Sequence, residues 1–311
     1  MEEQKSLNTS ALATAATAYI LWGILPIYWK FFGAVPAYEV LAHRIFWSFF
    51  FMIGLVLATG RAKGLRDEIK LVAANRKKLL SLFTGAVFIS LNWLTYIWAV
   101  NHDRVVESSL GYYISPLLQV LMGVVIFRER LSLWQFLAVV LAAAGVIYLT
   151  VHYGSFPTVA VILATTITIY GYCKKVTGLT AINGMTMETA ITAPIAAFFL
   201  IYLHSHGQGY PVGLTPTFLL LMGTGVVTAI PLIMFAHSIN GLPLTVLGII
   251  QYVSPTLTLL LGVFAYNEVF SGVHLVAFIF IWSGCALFTA ARTKPMAKLE
   301  RLISRGFKRP D

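Results

Sequence analysis

Apolar residues come in runs of about 20, the length a helix needs to cross hydrocarbon, separated by short polar breaks. Ten such runs are legible: Leu12–Phe32, Val40–Thr59, Leu79–Val100, Val106–Phe127, Leu133–Val151, Val159–Cys173, Met185–Leu203, Thr217–His237, Leu244–Tyr266 and Val273–Ala291. In a bilayer each backbone amide must be satisfied within its own segment, so these runs predict helices. The longest break, Gly60–Lys78, is basic and reads as amphipathic; the tail from Arg292 to Asp311 is basic and carries no span. The expected fold class is all-α integral membrane, with ten transmembrane helices.

The pattern also repeats. With an offset of 139 positions, Ser115-Pro116 returns as Ser254-Pro255, Tyr113 as Tyr252, Gly123 as Gly262, Glu129 as Glu268, Ser132 as Ser271 and Gly145 as Gly284. Between Asn101 and Leu149 there are 12 identities in 49 ungapped positions, where chance gives roughly four, so the chain reads as duplicated. Each copy holds five spans. Five is odd, so the second copy enters the membrane from the opposite side, and the two repeats are inverted. The expected division is residues 1–151, residues 152–291 and a basic cytoplasmic tail, 292–311. Inverted repeats around a shared pocket serve one evident purpose, a central site reached from either side as the halves rock.

Charge agrees with this count. With the first residues in the cytoplasm and alternating crossings, the cytoplasmic side takes Lys5, seven basic residues from Arg61 to Lys78, Arg128, Arg130, Lys174, Lys175 and seven in the tail, 19 of the 22 lysines and arginines. Lys30 and Arg104 fall outside and Arg44 inside a span. That asymmetry predicts both termini in the cytoplasm. Hydrophobic residues make up 58% and charged residues 11%, against about 25% charged in soluble domains. The net charge of +10 therefore speaks of membrane orientation, and no nucleic-acid partner is expected. The apolar N-terminal run is too long for a cleaved signal. Cys173 and Cys285 lie in apolar runs of different halves and read as small core residues.

Few polar groups interrupt the spans, and those few are the candidates for chemistry. Pro116 and Pro255 fall near the middle of spans four and nine, freeing the carbonyls of Tyr112 and Gln251; they are tolerated kinks or part of a substrate path. Arg44, beside His43, and Glu188 lie near the starts of spans two and seven. They either reach interfacial water or form one polar network between the repeats, since charges in a span seek partners. Glu107 opens span four, where the helix dipole favours a carboxylate; its functional reading is a proton-titrated group at a cavity mouth. Asn92 and Tyr96 share a face of span three with Trp93 nearby, and Trp22, Tyr28, Tyr112, Tyr113, His237, Gln251 and Tyr252 add aromatic and hydrogen-bonding groups. Aromatics with sparse polar groups suit a flat amphipathic or cationic organic solute, or else belong to interfacial belts and helix packing. Small residues at Ala138, Ala142 and Gly145, echoed at Ala277 and Gly284, suit close helix packing. His152, His204 and His206 read as solvated loop residues. No metal set, phosphate loop or nucleophile motif occurs, so no enzyme, cofactor or metal role is expected.

Several stretches together resemble the RarD family of bacterial inner-membrane proteins, within the drug/metabolite transporter superfamily built of EamA-type repeats. They are Trp22-Gly23 with Pro26, Tyr28 and Lys30; Glu39 with His43-Arg44 and Trp47-Ser48; Asn92-Trp93 with Tyr96 and Trp98; Glu107 through Pro116; Phe127 through Leu131; and Gln251 through Thr256. The resemblance implies a ten-helix inverted-repeat transporter whose spans three, four, eight and nine form the cavity. It also implies proton or exchange coupling, and family naming points to amphenicol drugs. The function expected is export of a small organic metabolite or drug by a secondary transporter, monomeric or homodimeric, in the bacterial inner membrane. The rival is a membrane receptor or scaffold, which would be expected to carry a sizeable signalling loop or tail.

Overall fold

The computed structural model describes residues 9–127, 132–153, 156–238, 242, 250–291 and 296. Among the described residues the regular structure is helical. The chain forms α1 (Thr9–Lys30), α2 (Ala37–Ala58), α3 (Ala62–Ala73), α4 (Arg76–Asn101), α5 (Val105–Phe127) and α6 (Leu133–Tyr153). It continues as α7 (Thr158–Thr177), α8 (Ala181–Ser205), α9 (Pro216–Ser238), α10 (Val253–Leu260) and α11 (Gly272–Ala291). A π-helical turn, Leu261–Ala265, extends α10. Eight of these helices are long and apolar enough to cross a membrane, and Val253–Ala265 is a shorter apolar helix. α5 is a further helix of 23 residues. The expected ninth span began at Leu244; residues 243–249 lie outside the described set, and the described part of that span starts a new helix at Val253.

Local chemistry sets the helix ends. Pro36 and Pro157 stand immediately before α2 and α7, positions where a missing amide proton costs nothing. Asn75 caps α4 by accepting the Lys78 amide at 3.1 Å, and Gly178, at φ +64°, ends α7 in a left-handed turn. α3 is the amphipathic helix expected in the basic break. Along α8, Glu188, Thr189, Ala193 and Ala196 are buried while Ile195, Phe198 and Ile201 are exposed. A helix that is polar inside and apolar outside is built for lipid.

The basic ends of α4 and α7, with α3, define one end of the bundle. The ion pair Lys30–Asp103 joins α1 to the α4–α5 turn at the other end. Packing runs mainly between the halves: α1 against α9 and α10, α2 against α8 and α9, α4 and α5 against α7, α5 against α10, and α6 against α11. Exchanging α1, α2, α4, α5 and α6 for α7, α8, α9, α10 and α11 turns these pairings into one another, the α2–α9 contact answering to α4–α8. The seam between α6 and α11 is reciprocal in detail. A Cβ on Gly145 would sit 2.8 Å from the Ala277 carbonyl, and one on Gly284 would sit 2.7 Å from the Ala138 carbonyl. The later residue of α6 meets the earlier residue of α11, so the two helices run antiparallel.

Candidate functional site

A cavity of about 430 Å³ lies between the halves. Its wall takes Tyr19, Trp22 and Leu25 from α1, Arg44 from α2, Asn92, Trp93 and Tyr96 from α4, and Tyr112, Ser115 and Gln119 from α5. The second half supplies Tyr170 and Gly171 from α7, Met185, Glu188, Thr189 and Thr192 from α8, Thr228, Leu232 and Phe235 from α9, and Gln251, Ser254 and Pro255. Helices α1, α2, α7 and α8 therefore join the expected wall-formers, because each packs across the seam between halves.

Arg44 is the most costly group in the wall. It is 5% exposed, and its Nε donates to Thr228 Oγ1 at 2.9 Å. Its guanidinium carbon lies 4.0 Å from the Trp93 ring centroid and 4.8 Å from that of Trp29, contacts that offset part of the cost of burying a cation. Asn92 is fully engaged. Its Nδ2 donates to the Leu163 carbonyl at 3.0 Å and to Thr166 Oγ1 at 2.9 Å, and its Oδ1 accepts from the Tyr112 hydroxyl at 3.1 Å. Tyr112 meets Tyr96 edge to face, with ring centroids 5.6 Å apart. On the α8 side, Glu188 accepts from the Tyr170 hydroxyl at 3.0 Å and pairs with Lys174 at 3.1 Å. Gly184 makes room for that ammonium, since a Cβ there would lie 2.6 Å from Lys174 Nζ. Tyr19, Trp22 and Phe235 form an aromatic triangle, with centroids 5.2 to 5.7 Å apart.

Beyond Tyr96, away from the basic end, the middle of the bundle is closely packed. Leu25, Trp29, Phe32, Val40, Ile97, Val100, Val105, Val159, Leu163 and Leu221 form one buried cluster there. Three carboxylates tie the same end together by accepting backbone amides from other elements. Glu268 takes the Val105 and Val106 amides at 2.6 and 2.7 Å. Glu107 takes the Val159 amide at 2.8 Å and pairs with Arg104. Glu39 takes the Tyr210 amide. Two of these acceptors sit at the N-termini of α5 and α7, where donors are orphaned and the dipole welcomes negative charge. Burial holds the Glu268 carboxyl above the ordinary carboxylate value, against the downward pull of its two amide donors.

The chain is similar to the uncharacterized transporter YojE of Bacillus subtilis, with 44% identity over 90% of this chain and 93% of that one. It is also similar to protein RarD of Salmonella typhi, with 40% identity over 88% of this chain and 92% of that one. The EamA-like transporter family model matches residues 9–151. The chain belongs to the RarD family. RarD sits within the drug/metabolite transporter superfamily, so this is a membrane transporter of the multi-pass bacterial type. A protein of known crystal structure shares the fold, with a TM-score of 0.56 at 22% identity over 90% of this chain and 97% of that one.

Within this RarD-family cavity, Trp22, Asn92, Trp93, Tyr96, Tyr112, Gln251 and Pro255 from the sequence reading all line the wall, as do Arg44 and Glu188. Arg44 and Glu188 each have their own bonded partners there. The other candidates lie elsewhere. Tyr28 donates to the Leu220 carbonyl in the packed end, and His43 meets Phe218 edge to face with centroids 5.7 Å apart. Glu107 lines a separate pocket of about 300 Å³ with Asp103, Glu268 and His274. Tyr113 bonds Thr256 Oγ1 at 2.6 Å and stacks on Tyr252 at 5.9 Å between α5 and α10. Pro116 lies inside α5, and the freed Tyr112 carbonyl accepts from the Ser115 hydroxyl at 3.1 Å. Pro255 falls in the first turn of α10, where it removes no helical bond. The side chain of His237 lies outside the described residues. Sequence reading missed Thr228, Tyr170 and Lys174 as wall and partner groups. The four-residue spacing of Tyr170 and Lys174, which puts both on one face of α7, was the available signal.

Proposed function

We propose that this chain is a secondary transporter of the bacterial inner membrane that exports a small organic solute by alternating access. Residues 1–151 and 152–291 act as two inverted five-helix repeats, with both termini in the cytoplasm and coupling to protons or to exchange. The observation that carries the reading is a polar and aromatic cavity enclosed between two halves whose packing exchanges under a two-fold operation. The antiparallel, reciprocal seam of Gly145 and Gly284 supports inversion, because repeats related by an axis along the membrane normal would set α6 and α11 parallel. The cavity lies toward the basic end, which the positive-inside tendency makes cytoplasmic, and the opposite end is packed. On this reading the solute loads from the cell interior.

Purified protein in liposomes tests this directly. A panel of aromatic amino acids, their derivatives and amphenicol drugs is followed across the membrane with and without a pH gradient. Saturable flux of at least one solute above protein-free liposomes is expected. Flux indistinguishable from protein-free liposomes for the whole panel would count against transport of this solute class.

A further inference from the structure

We infer that the transported solute carries a carboxylate, received by the guanidinium of Arg44; the inference rests on the transporter reading and names its substrate class. Three charged side chains bear on the cavity. Glu188 and Lys174 neutralise each other at 3.1 Å, with Tyr170 bonded to the same carboxylate. Arg44 is left over: among the described residues no carboxylate pairs with it. Its Nε is used by Thr228, and the Trp93 and Trp29 rings occupy the space around its central carbon. With Nε bonded and both rings at the central carbon, the two terminal nitrogens are the donors left for the cavity that Arg44 lines.

A cation held inside a bilayer with open donors is expensive, and burial strengthens its attraction for any anion that enters. The guanidinium edge presents two parallel N–H groups at the spacing of a carboxylate's oxygens, so the pair forms two bonds at once. A single such group matches a monoanion. A cationic solute, which the aromatic lining taken alone would welcome, finds the Trp93 ring already engaged by the protein's own cation and meets like charge. The Tyr19, Trp22 and Phe235 triangle remains to take the apolar body. The volume, about 430 Å³, is in the range of small-molecule pockets.

Binding of matched radiolabelled probes to the purified full-length protein tests this: indole-3-acetate and phenylacetate, each beside its neutral amide and its amine analogue. The acids are expected to bind saturably, about tenfold or more tighter than the amide or the amine, as a charge-assisted pair predicts. Arg44→Gln removes that preference, and Arg44→Lys keeps it with weaker binding. The order in the unsubstituted protein decides the matter even if Arg44→Gln does not fold. The inference is overturned if amide or amine binds as well as the acid, if no acid binds at millimolar concentration, or if the preference survives in a folded Arg44→Gln. Liposome flux of the same probes separates the two readings. Acid binding without flux keeps the anion site and removes transport, whereas flux blind to charge keeps transport and removes the anion site.

Discussion

At the scale of single residues, Asn92 shows how a buried amide fixes a site. Its three bonds reach two elements, α7 through Leu163 and Thr166 and α5 through Tyr112. Asn92→Ala leaves these partners without it in a water-poor interior, and the expected loss is about 1–3 kcal/mol. Tyr112→Phe removes one bond and spares the other two, for about 1 kcal/mol or less. Midpoints of unfolding in detergent, compared across the two variants, check that order. The need of Asn92 for a partner was legible in the sequence, because an amide in mid-span is costly alone. Its partners were not, since two come from the other half of the chain and the third from the neighbouring helix α5, at separations that no helical period links. Trp93 lines the cavity and is also the face on which Arg44 rests, with the guanidinium carbon 4.0 Å from its ring centroid. Lys174, one of the basic residues behind the charge asymmetry, also turns its ammonium into the bundle to pair with Glu188 at 3.1 Å.

At the scale of elements, nine of the ten apolar runs located helices to within a few residues, because twenty consecutive apolar positions admit few other structures in lipid; the ninth run, from Leu244, is described as a helix only from Val253. The two prolines were harder. Identical neighbours suggested equal roles, yet Pro116 sits within a continuous helix and Pro255 in the first turn of a new one. Only the backbone around Gln251 and Tyr252 tells them apart. The small residues of α6 and α11 were legible as a packing stripe; their reciprocity needed coordinates. Gly284→Ala drives a Cβ to 2.7 Å from the Ala138 carbonyl, a backbone atom that cannot move alone, and should cost about 1–3 kcal/mol. Gly54→Ala, in α2, meets nothing within 4 Å and should be neutral or stabilising by up to about 1 kcal/mol. Thermal unfolding of the two variants side by side distinguishes a packed seam from a general dislike of alanine.

At the scale of the whole molecule, two halves whose packing exchanges under a two-fold operation share one cavity. The repeat and the charge asymmetry were visible in the chain because both are one-dimensional signals. The cavity was visible only in outline: its polar members were named, while the contributions of α2, α7 and α8 depend on how the halves interlock. The packed end explains why some conspicuous groups are not in the cavity. Glu39, Glu107 and Glu268 accept backbone amides at that end; on the proposed alternating-access reading, these are bonds that would break for the cavity to open there. Single cysteines at Ser90 and Thr192, which line the cavity, placed in a background lacking Cys173 and Cys285, report on that opening. A membrane-impermeant thiol reagent is applied from each side of sealed vesicles of known orientation. Rocking halves predict labelling from both sides; labelling from one side alone, under every condition of pH and solute, would contradict alternating access.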